Sequence, residues 1–317
     1  MSKIRIAVVG AGAFGRNHLR VIRDMEGADL AGVLDIDESR ASSAANLYGC
    51  PVFQSLEEMA GKADAAVVAT PTTTHGAIGC RLMDLGIDVL LEKPIAHDPA
   101  DARALIAKAR QRDRILQIGH LERFNPAVRA LESVLTAPLF FEIHRLSEFS
   151  PRSLDVDVVL DLMIHDIDIV LAMVGSRPEE IRAAGISILS PKVDIANVRL
   201  AFPGGVIANL TASRVSTERV RKLRLFQPHE YISLDYSRQD GVRFRVKPPA
   251  GIDFAPLPVV RGEPLRLELE SFVEAVASRR EAAVTGEQAL AALEVAYGIL
   301  KKIEEHSQLV KDALERR

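Results

Sequence analysis

Tryptophan is absent, aromatic residues reach only 5%, and cysteine occurs twice, at Cys50 and Cys80. Two thiols without C-x-x-C spacing exclude a disulfide framework and a zinc knuckle, and they fit a reducing compartment. Neither sign of charge is in excess, since 40 basic and 43 acidic residues leave a net charge of −3. That balance gives no electrostatic case for nucleic acid or an anionic membrane as partner. No run of about eighteen apolar residues occurs, and after Met1-Ser2-Lys3 a strand-like segment begins with no apolar signal region. The expectation is a cytoplasmic protein that binds neither nucleic acid nor membrane. Internal repeats and low-complexity tracts are also missing. What remains is ordinary globular material, 317 residues of which 48% are apolar and 26% charged. That length suggests two domains.

Residues Asp157 to Val174, DVVLDLMIHDIDIVLAMV, are mostly apolar and contain neither Gly nor Pro. They predict one buried helix of about five turns. Asp157, Asp161, His165 and Asp168 interrupt it at spacings of four, four and three, which stacks them on one face. Burying such a stripe unpartnered costs several kcal/mol per charge, so the face must look onto something polar. A carboxylate one turn from an imidazole is how a general base is held, and it is also an ordinary structural pair. The same two side chains could ligate a metal, but no third ligand with obvious spacing accompanies them, so no metal is expected.

Ile4 to Val9 is a β-rich run that ends in GAGAFGRNH, and a helical pattern follows to about Met25. Gly10, Gly12 and Gly15 make a G-x-G-x-x-G turn between strand and helix, with Ala13 and Phe14 inside it. The three glycines permit the tight turn, the approach of a pyrophosphate and close helix–strand packing. Leu30 to Leu34 is a second strand ending at Asp35, about twenty residues after Gly15, where an acid meets the adenosine ribose hydroxyls. Ile36 follows and no Arg stands beside it, which favours NAD over NADP because a 2′-phosphate would face a carboxylate. The alternation continues with a helix at Glu38–Tyr48, an edge strand at Val52-Phe53 and a helix at Leu56–Ala60. Next come a strand from Ala65 to Ala69 ending at Thr70-Pro71, a helix at His75–Leu85, and a strand Asp88–Leu91 ending in Glu92-Lys93-Pro94. A helix at Pro99–Arg112 leads to a sixth strand, Ile115–Ile118. Residues 1–122 therefore predict an α/β Rossmann domain, a doubly wound parallel sheet with its ligand at the carboxyl ends of the strands. Thr70, Pro71, His75, Glu92 and Lys93 lie at such ends and are cofactor-site candidates. Glu92 leaves the state of Lys93 open, because a carboxylate beside a lysine raises its pKa unless it points elsewhere.

From Phe124 onward long strand-like runs dominate: Leu139–Phe149, Ile181–Leu189, Ile195–Phe202, Val206–Ser213, Lys222–Gln227, Tyr231–Tyr236 and Val242–Val246. Most have no helix between them. Residues 123–317 predict an α+β domain with a large open-faced, mostly antiparallel sheet, the 157–174 helix on one face, a loop at Pro248–Pro264 and helices near Leu265–Arg279 and Glu287–Glu305. An uncovered sheet face offers a surface for a dimer or tetramer.

GAGAFG, ATPTTTH, LLEKPIA and DLMIHDID, in this order and spacing, resemble the glucose–fructose oxidoreductase / inositol dehydrogenase (Gfo/Idh/MocA) family. Its members are NAD(P)-dependent sugar and polyol dehydrogenases with a Rossmann domain and an open-faced sheet domain, and the resemblance covers essentially the whole chain. It implies catalytic roles for Lys93, Asp161 and His165, and dinucleotide contacts for Gly10, Gly12, Gly15 and Asp35. GHLERFNPAVRAL at Gly119–Leu131 and SRVSTERVRKLRLF at Ser213–Phe226 are similar to the bacterial and archaeal UDP-N-acetylglucosamine 3-dehydrogenases and to relatives that oxidise the uronic acid. That likeness implies oxidation of a sugar-nucleotide 3-OH to a ketone. A partner aminotransferase would then make a 3-amino sugar for lipid A or surface polysaccharide. A diphosphate substrate needs cationic and hydrogen-bonding groups, and His120, Arg123, Asn125, Arg152 and Arg214 are the candidates beside Asp161 and His165. Pairing of Arg123 and Arg214 with Glu122 and Glu218 is the alternative.

In this reading a hydride passes from a secondary carbinol carbon to the nicotinamide of NAD. His165 removes the hydroxyl proton, Asp161 holds its tautomer and Lys93 donates to the same oxygen, although His and Lys can exchange the base role. Two competitors stand beside it. A free-sugar or inositol dehydrogenase shares every catalytic residue, and a non-catalytic NAD-binding regulator has no need of both Lys93 and His165.

Overall fold

The computed structural model describes residues 3–149, 156–247, 249 and 251–315. The chain forms two compact units, Met1–Phe124 with Glu263–Leu290, and Asn125–Gly262 with Ala291–Arg317. In the first unit β1 (Ile4–Val9), α1 (Ala13–Arg23), β2 (Ala28–Leu34), α2 (Glu38–Tyr48), β3 (Ala65–Val68), α3 (His75–Asp84), β4 (Asp88–Glu92), α4 (Pro99–Arg112) and β5 (Leu116–Gly119) follow one another. The five strands lie parallel in the order β2-β1-β3-β4-β5. The order reverses between β1 and β3, which opens a crevice at their carboxyl ends. Asp37 and Asp98 start α2 and α4 by accepting backbone N–H groups, and Gly49 ends α2 in the left-handed region at φ 71°. The expected edge strand at Val52-Phe53 is a single bridge from Val52 to Val33. Pro51, with no N–H to donate, leaves room for no more ladder than that. The expected helix at Leu56–Ala60 is a single 3₁₀ turn, Glu57–Met59.

The helix Pro264–Ser278 (α7 in chain order) also belongs to this unit. Its Leu265, Leu269, Phe272 and Val276 are buried with Leu19 and Ile22 of α1 and Ile6 and Val8 of β1. Residues 263–290 therefore sit with the first unit, whereas the sequence reading ran the second domain unbroken from 123 to 317. An apolar stripe shows that a helix is covered. It does not show by which sheet.

The second unit contains α5 (Pro126–Glu132), β6 (Phe140–Glu148), α6 (Ile164–Val174), β7 (Glu180–Ile186), β8 (Ile195–Ala201), β9 (Ile207–Ser216), β10 (Val220–Gln227), β11 (Glu230–Asp235), β12 (Asp240–Val246) and β13 (Ile252–Pro256). α8 (Gly286–Glu315) begins in the first unit and continues through the second. The eight strands run β13-β12-β11-β10-β6-β9-β8-β7, antiparallel except for β6 with β9. β13 lies inside the segment expected to be loop, paired antiparallel with β12. Strand alternation gives the sheet two different faces. Phe141, Ile143, Leu223, Leu225, Ile232 and Leu234 are buried on one. Phe140, Phe226, Tyr231, Phe244 and Phe254 form a ladder across five strands on the other, with ring centroids 5.0–5.8 Å apart. Phe226 and Phe254 of that ladder are exposed.

The single helix expected over 157–174 is interrupted at its start. A π-turn, Val159–Met163, runs into α6, which stops at Gly175 with φ 72°. The entry is pinned from outside: Asp157 Oδ1 accepts the Val193 N–H at 2.9 Å, and the Val158 N–H donates to Val193 O at 2.9 Å. Fixing that end while α6 packs on the sheet leaves one residue too many for α geometry, and the widened turn absorbs it. No helix among the described residues is long and apolar enough to cross a membrane.

Candidate active site

The β1–α1 turn is packed to the limit of its glycines. Gly10 has φ +97°, and a Cβ there would sit 2.5 Å from Ala69 O; a Cβ on Gly15 would sit 1.7 Å from Gly10 O. Gly12, the N-cap of α1, has no atom within 4 Å of its Cβ position. The helix N-terminus there faces open space, where its unpaired N–H groups suit a pyrophosphate. Phe14 and Ile36 are exposed beside it. Asp35 is held at the end of β2: Oδ2 accepts the Ala11 N–H at 2.7 Å and Oδ1 the Asp37 N–H at 2.9 Å. A carboxylate so placed keeps lone pairs for ribose hydroxyls, so these residues fit an adenine dinucleotide. One arginine escaped the sequence reading, because it stands five residues on in α2. Arg40 Nη1 lies 3.6 Å from Asp35 and Nη2 lies 3.3 Å from Asp37, so two carboxylates match its charge. Gly12→Ala is expected to leave the melting temperature unchanged and weaken NAD binding at least tenfold. Gly15→Ala, clashing with backbone, is expected to lower both, as measured by calorimetric titration and thermal melts.

The ends of β3 and β4 are tied together. Thr74 Oγ1 donates to Pro71 O at 2.7 Å and lies 2.8 Å from Thr70 Oγ1. His75, which is buried, has Nδ1 3.0 Å from Pro94 O and Nε2 3.0 Å from Thr70 O. The neutral ring has one N–H and donates to one of these two carbonyls, and burial lowers its pKa. A histidine kept neutral by the fold takes up protons more readily when unfolded, so stability is lost as pH falls through about 6.5. His75→Asn is expected to flatten the drop in unfolding free energy between neutral pH and about pH 5.5, read by urea titration. Lys93, followed by a cis peptide to Pro94, stands at the end of β4. Glu92 directs Oε1 to His18 Nε2 at 2.7 Å, so its carboxylate is turned away from its neighbour, as alternation along a strand requires.

In the second unit Asp161 lies in the π-turn and His165 in the first turn of α6, both half-buried. Asp168 is buried, and Asp157 leaves the expected stripe to hold Val193. Asp166, next to His165, points inward. Arg145 of β6 holds it with two parallel bonds, Nε to Oδ2 at 2.7 Å and Nη2 to Oδ1 at 2.8 Å, with Tyr236 OH donating to Oδ1 at 3.5 Å. This anchor was invisible in sequence, where Arg145 is one polar residue in a strand-like run. The substrate candidates are differently placed. His120 is buried after β5, and Arg123 is half-buried in the 3₁₀ turn Leu121–Phe124. Asn125 caps α5, accepting the Ala127 N–H at 3.1 Å and donating to Tyr236 O at 3.1 Å. Arg214, also buried, donates Nη2 to Val156 O and, at 3.1 Å, to Val193 O, and has Asp194 as an ion partner at 3.5 Å. These bonds of Asn125 hold the start of α5, and those of Arg214 hold the backbone ahead of the π-turn. Arg152 lies outside the described residues.

A tight glycine turn after β1 and an acid held at the end of β2 make the first unit a dinucleotide-binding Rossmann domain. The model for the oxidoreductase family with an NAD-binding Rossmann fold matches residues 4–120, and that for the GFO/IDH/MocA C-terminal domain matches residues 128–227. The chain belongs to the Gfo/Idh/MocA family and is an NAD-dependent oxidoreductase acting on CH–OH groups. It is 36% identical over 304 residues to UDP-N-acetylglucosamine 3-dehydrogenase of Acidithiobacillus ferrooxidans, covering 92% of this chain and 96% of that one. A solved structure of that enzyme superposes with TM-score 0.91 at 34% identity, covering 96% and 99% of the two chains. Inositol 2-dehydrogenase of Rhizobium meliloti is 26% identical over 332 residues, or 96% and 98% of the chains.

Proposed function

We propose that this protein oxidises the 3-hydroxyl of UDP-N-acetylglucosamine, or of its uronic acid, to a ketone at the expense of NAD. The observation that carries the reading is the end-to-end similarity to UDP-N-acetylglucosamine 3-dehydrogenase; Lys93, Asp161 and His165 supply the acid–base groups that such an oxidation needs. NAD, held by the β1–α1 turn and Asp35, would supply the hydride acceptor. His165 takes the hydroxyl proton, Asp161 holds the imidazole in the accepting tautomer and stabilises its charged form, and Lys93 donates to the oxygen as charge develops. Arg123 and His120 remain candidates for the diphosphate and sugar. Asn125 and Arg214 fit better as residues that shape the pocket than as direct ligands. The product, a 3-keto sugar nucleotide, suits a following aminotransferase in lipid A or surface polysaccharide synthesis. The exposed aromatic ladder suits pairing of two or four copies through the open sheet, in the cytoplasm.

The test follows reduced-nicotinamide absorbance with NAD or NADP and a panel of UDP-N-acetylglucosamine, its uronic acid, N-acetylglucosamine, glucose and myo-inositol. A keto-trapping aminotransferase is included because the oxidation can be uphill. The expected result is a signal with UDP-linked sugars and NAD alone. A signal with free sugars or inositol keeps the chemistry and discards the nucleotide pocket. No signal at all, with NAD bound, overturns this substrate assignment.

A further inference from the structure

Within the first unit, three ionisable side chains from three separate elements meet out of solvent. They are His18 on α1, Glu92 at the end of β4 and Glu268 on α7. One ligand atom from each lies within 4.8 Å of the other two. His18 and Glu268 are 0% exposed, and only the Glu92 side chain reaches solvent at all, at 14%. His18 Nε2 stands 2.7 Å from Glu92 Oε1. Neither carboxylate oxygen of Glu268 has a hydrogen-bond partner, and nor does His18 Nδ1.

An unpartnered carboxylate beside a second carboxylate in a dry interior is among the costliest arrangements a fold can keep. Burial and the charge of Glu92 both push the Glu268 pKa well above the ordinary carboxyl range. α7 would pack as well with an apolar residue here, since Leu265, Leu269 and Phe272 around it are all core. Either a proton on Glu268 or a bound cation has to neutralise this point. The spread of the donor atoms is one that a single ion spans with bonds of about 2.0–2.2 Å after small side-chain movements.

We propose that His18, Glu92 and Glu268 form a binding site for one divalent first-row transition ion, which clamps α1, β4 and α7 together. One imidazole nitrogen with two carboxylates suits zinc, cobalt or manganese better than magnesium or calcium, which take all-oxygen shells. On binding, the imidazole and Glu92 part by about half an ångström, because neighbouring ligands of a tetrahedral ion lie about 3.3 Å apart. The ion takes no part in hydride transfer. Its role is structural, holding α7 to the dinucleotide-binding sheet, and the site stands or falls independently of the substrate.

The test uses the untagged full-length protein, stripped with chelator, dialysed and titrated with Zn²⁺, Co²⁺ or Mn²⁺ alone. Metal per chain is measured by mass spectrometry after gel filtration, together with the thermal midpoint and, for Co²⁺, visible absorption. The expected result is one ion retained per chain and a midpoint that rises with metal concentration, both lost in Glu268→Gln. Equal retention in wild type and Glu268→Gln would be adventitious and overturns the site. No retention by wild type, with Glu268→Gln more stable than the parent, means that Glu268 holds a proton instead, and overturns it equally. Should Glu268→Gln fail to fold, His18→Asn takes its place. Should both fail, a wild type that keeps no metal and shows no midpoint shift decides against the site.

Discussion

Replacing His165 with asparagine is expected to cut turnover by about 10²–10⁴ while leaving NAD affinity close to that of the parent. Asparagine retains a polar side chain of similar reach but cannot take up the hydroxyl proton. The helix around it should not move, because the Arg145–Asp166 pair holds α6 to the sheet through the neighbouring residue. The loss should therefore fall on kcat, with little change in KM. Asp161→Asn should follow the same pattern through the wrong imidazole tautomer. Lys93→Met, compared over a pH series, separates the two base assignments: whichever variant abolishes the acid limb of the kcat/KM profile removed the base. A His165→Asn enzyme that turns over normally would remove that residue from the mechanism.

The largest expected loss of stability comes from Arg145→Met. The guanidinium is 1% exposed, engages both Asp166 oxygens and stacks 5.2 Å over the Tyr236 ring. Taking it away strands the Asp166 carboxylate in the core, which costs about 3–5 kcal/mol. Much of that cost is the stranded charge rather than the worth of the pair. The double variant Arg145→Met/Asp166→Leu should therefore recover most of the loss, and urea unfolding of the three proteins measures it. Recovery of stability without recovery of turnover would show that the pair sets the orientation of His165 as well as holding the core. A single-variant loss below about 1 kcal/mol would contradict a buried, fully engaged pair.

The Rossmann half was legible because its signals are local. GAGAFG must turn tightly after a strand, and Asp35 follows at the end of the next strand. Lys93 was placed by the same logic, since β4 has to end where a parallel sheet opens. Asp161 stands in the π-turn and His165 in the first turn of α6, and that π-turn had no signature in the sequence. That turn arises from Val193, distant in sequence, holding Asp157 and Val158. Arg214 read as a phosphate ligand because an arginine near a catalytic segment commonly is one. Only the fold shows it bound to Val156 and Val193 carbonyls. β13 was hidden for a related reason, since its partner β12 is chosen by the fold and its Phe254 meets Phe244 only once the two strands lie side by side.

The sequence by itself determined the class of fold and the glycine turn that takes the cofactor, because each depends on spacing along a few adjacent residues. Tertiary structure alone decided that α7 joins the first unit, that Arg145 anchors α6, and that His18, Glu92 and Glu268 meet. The physical reason is common to all three. Burial and charge pairing depend on which surfaces come together, and residues brought together by folding leave no periodic mark on the chain.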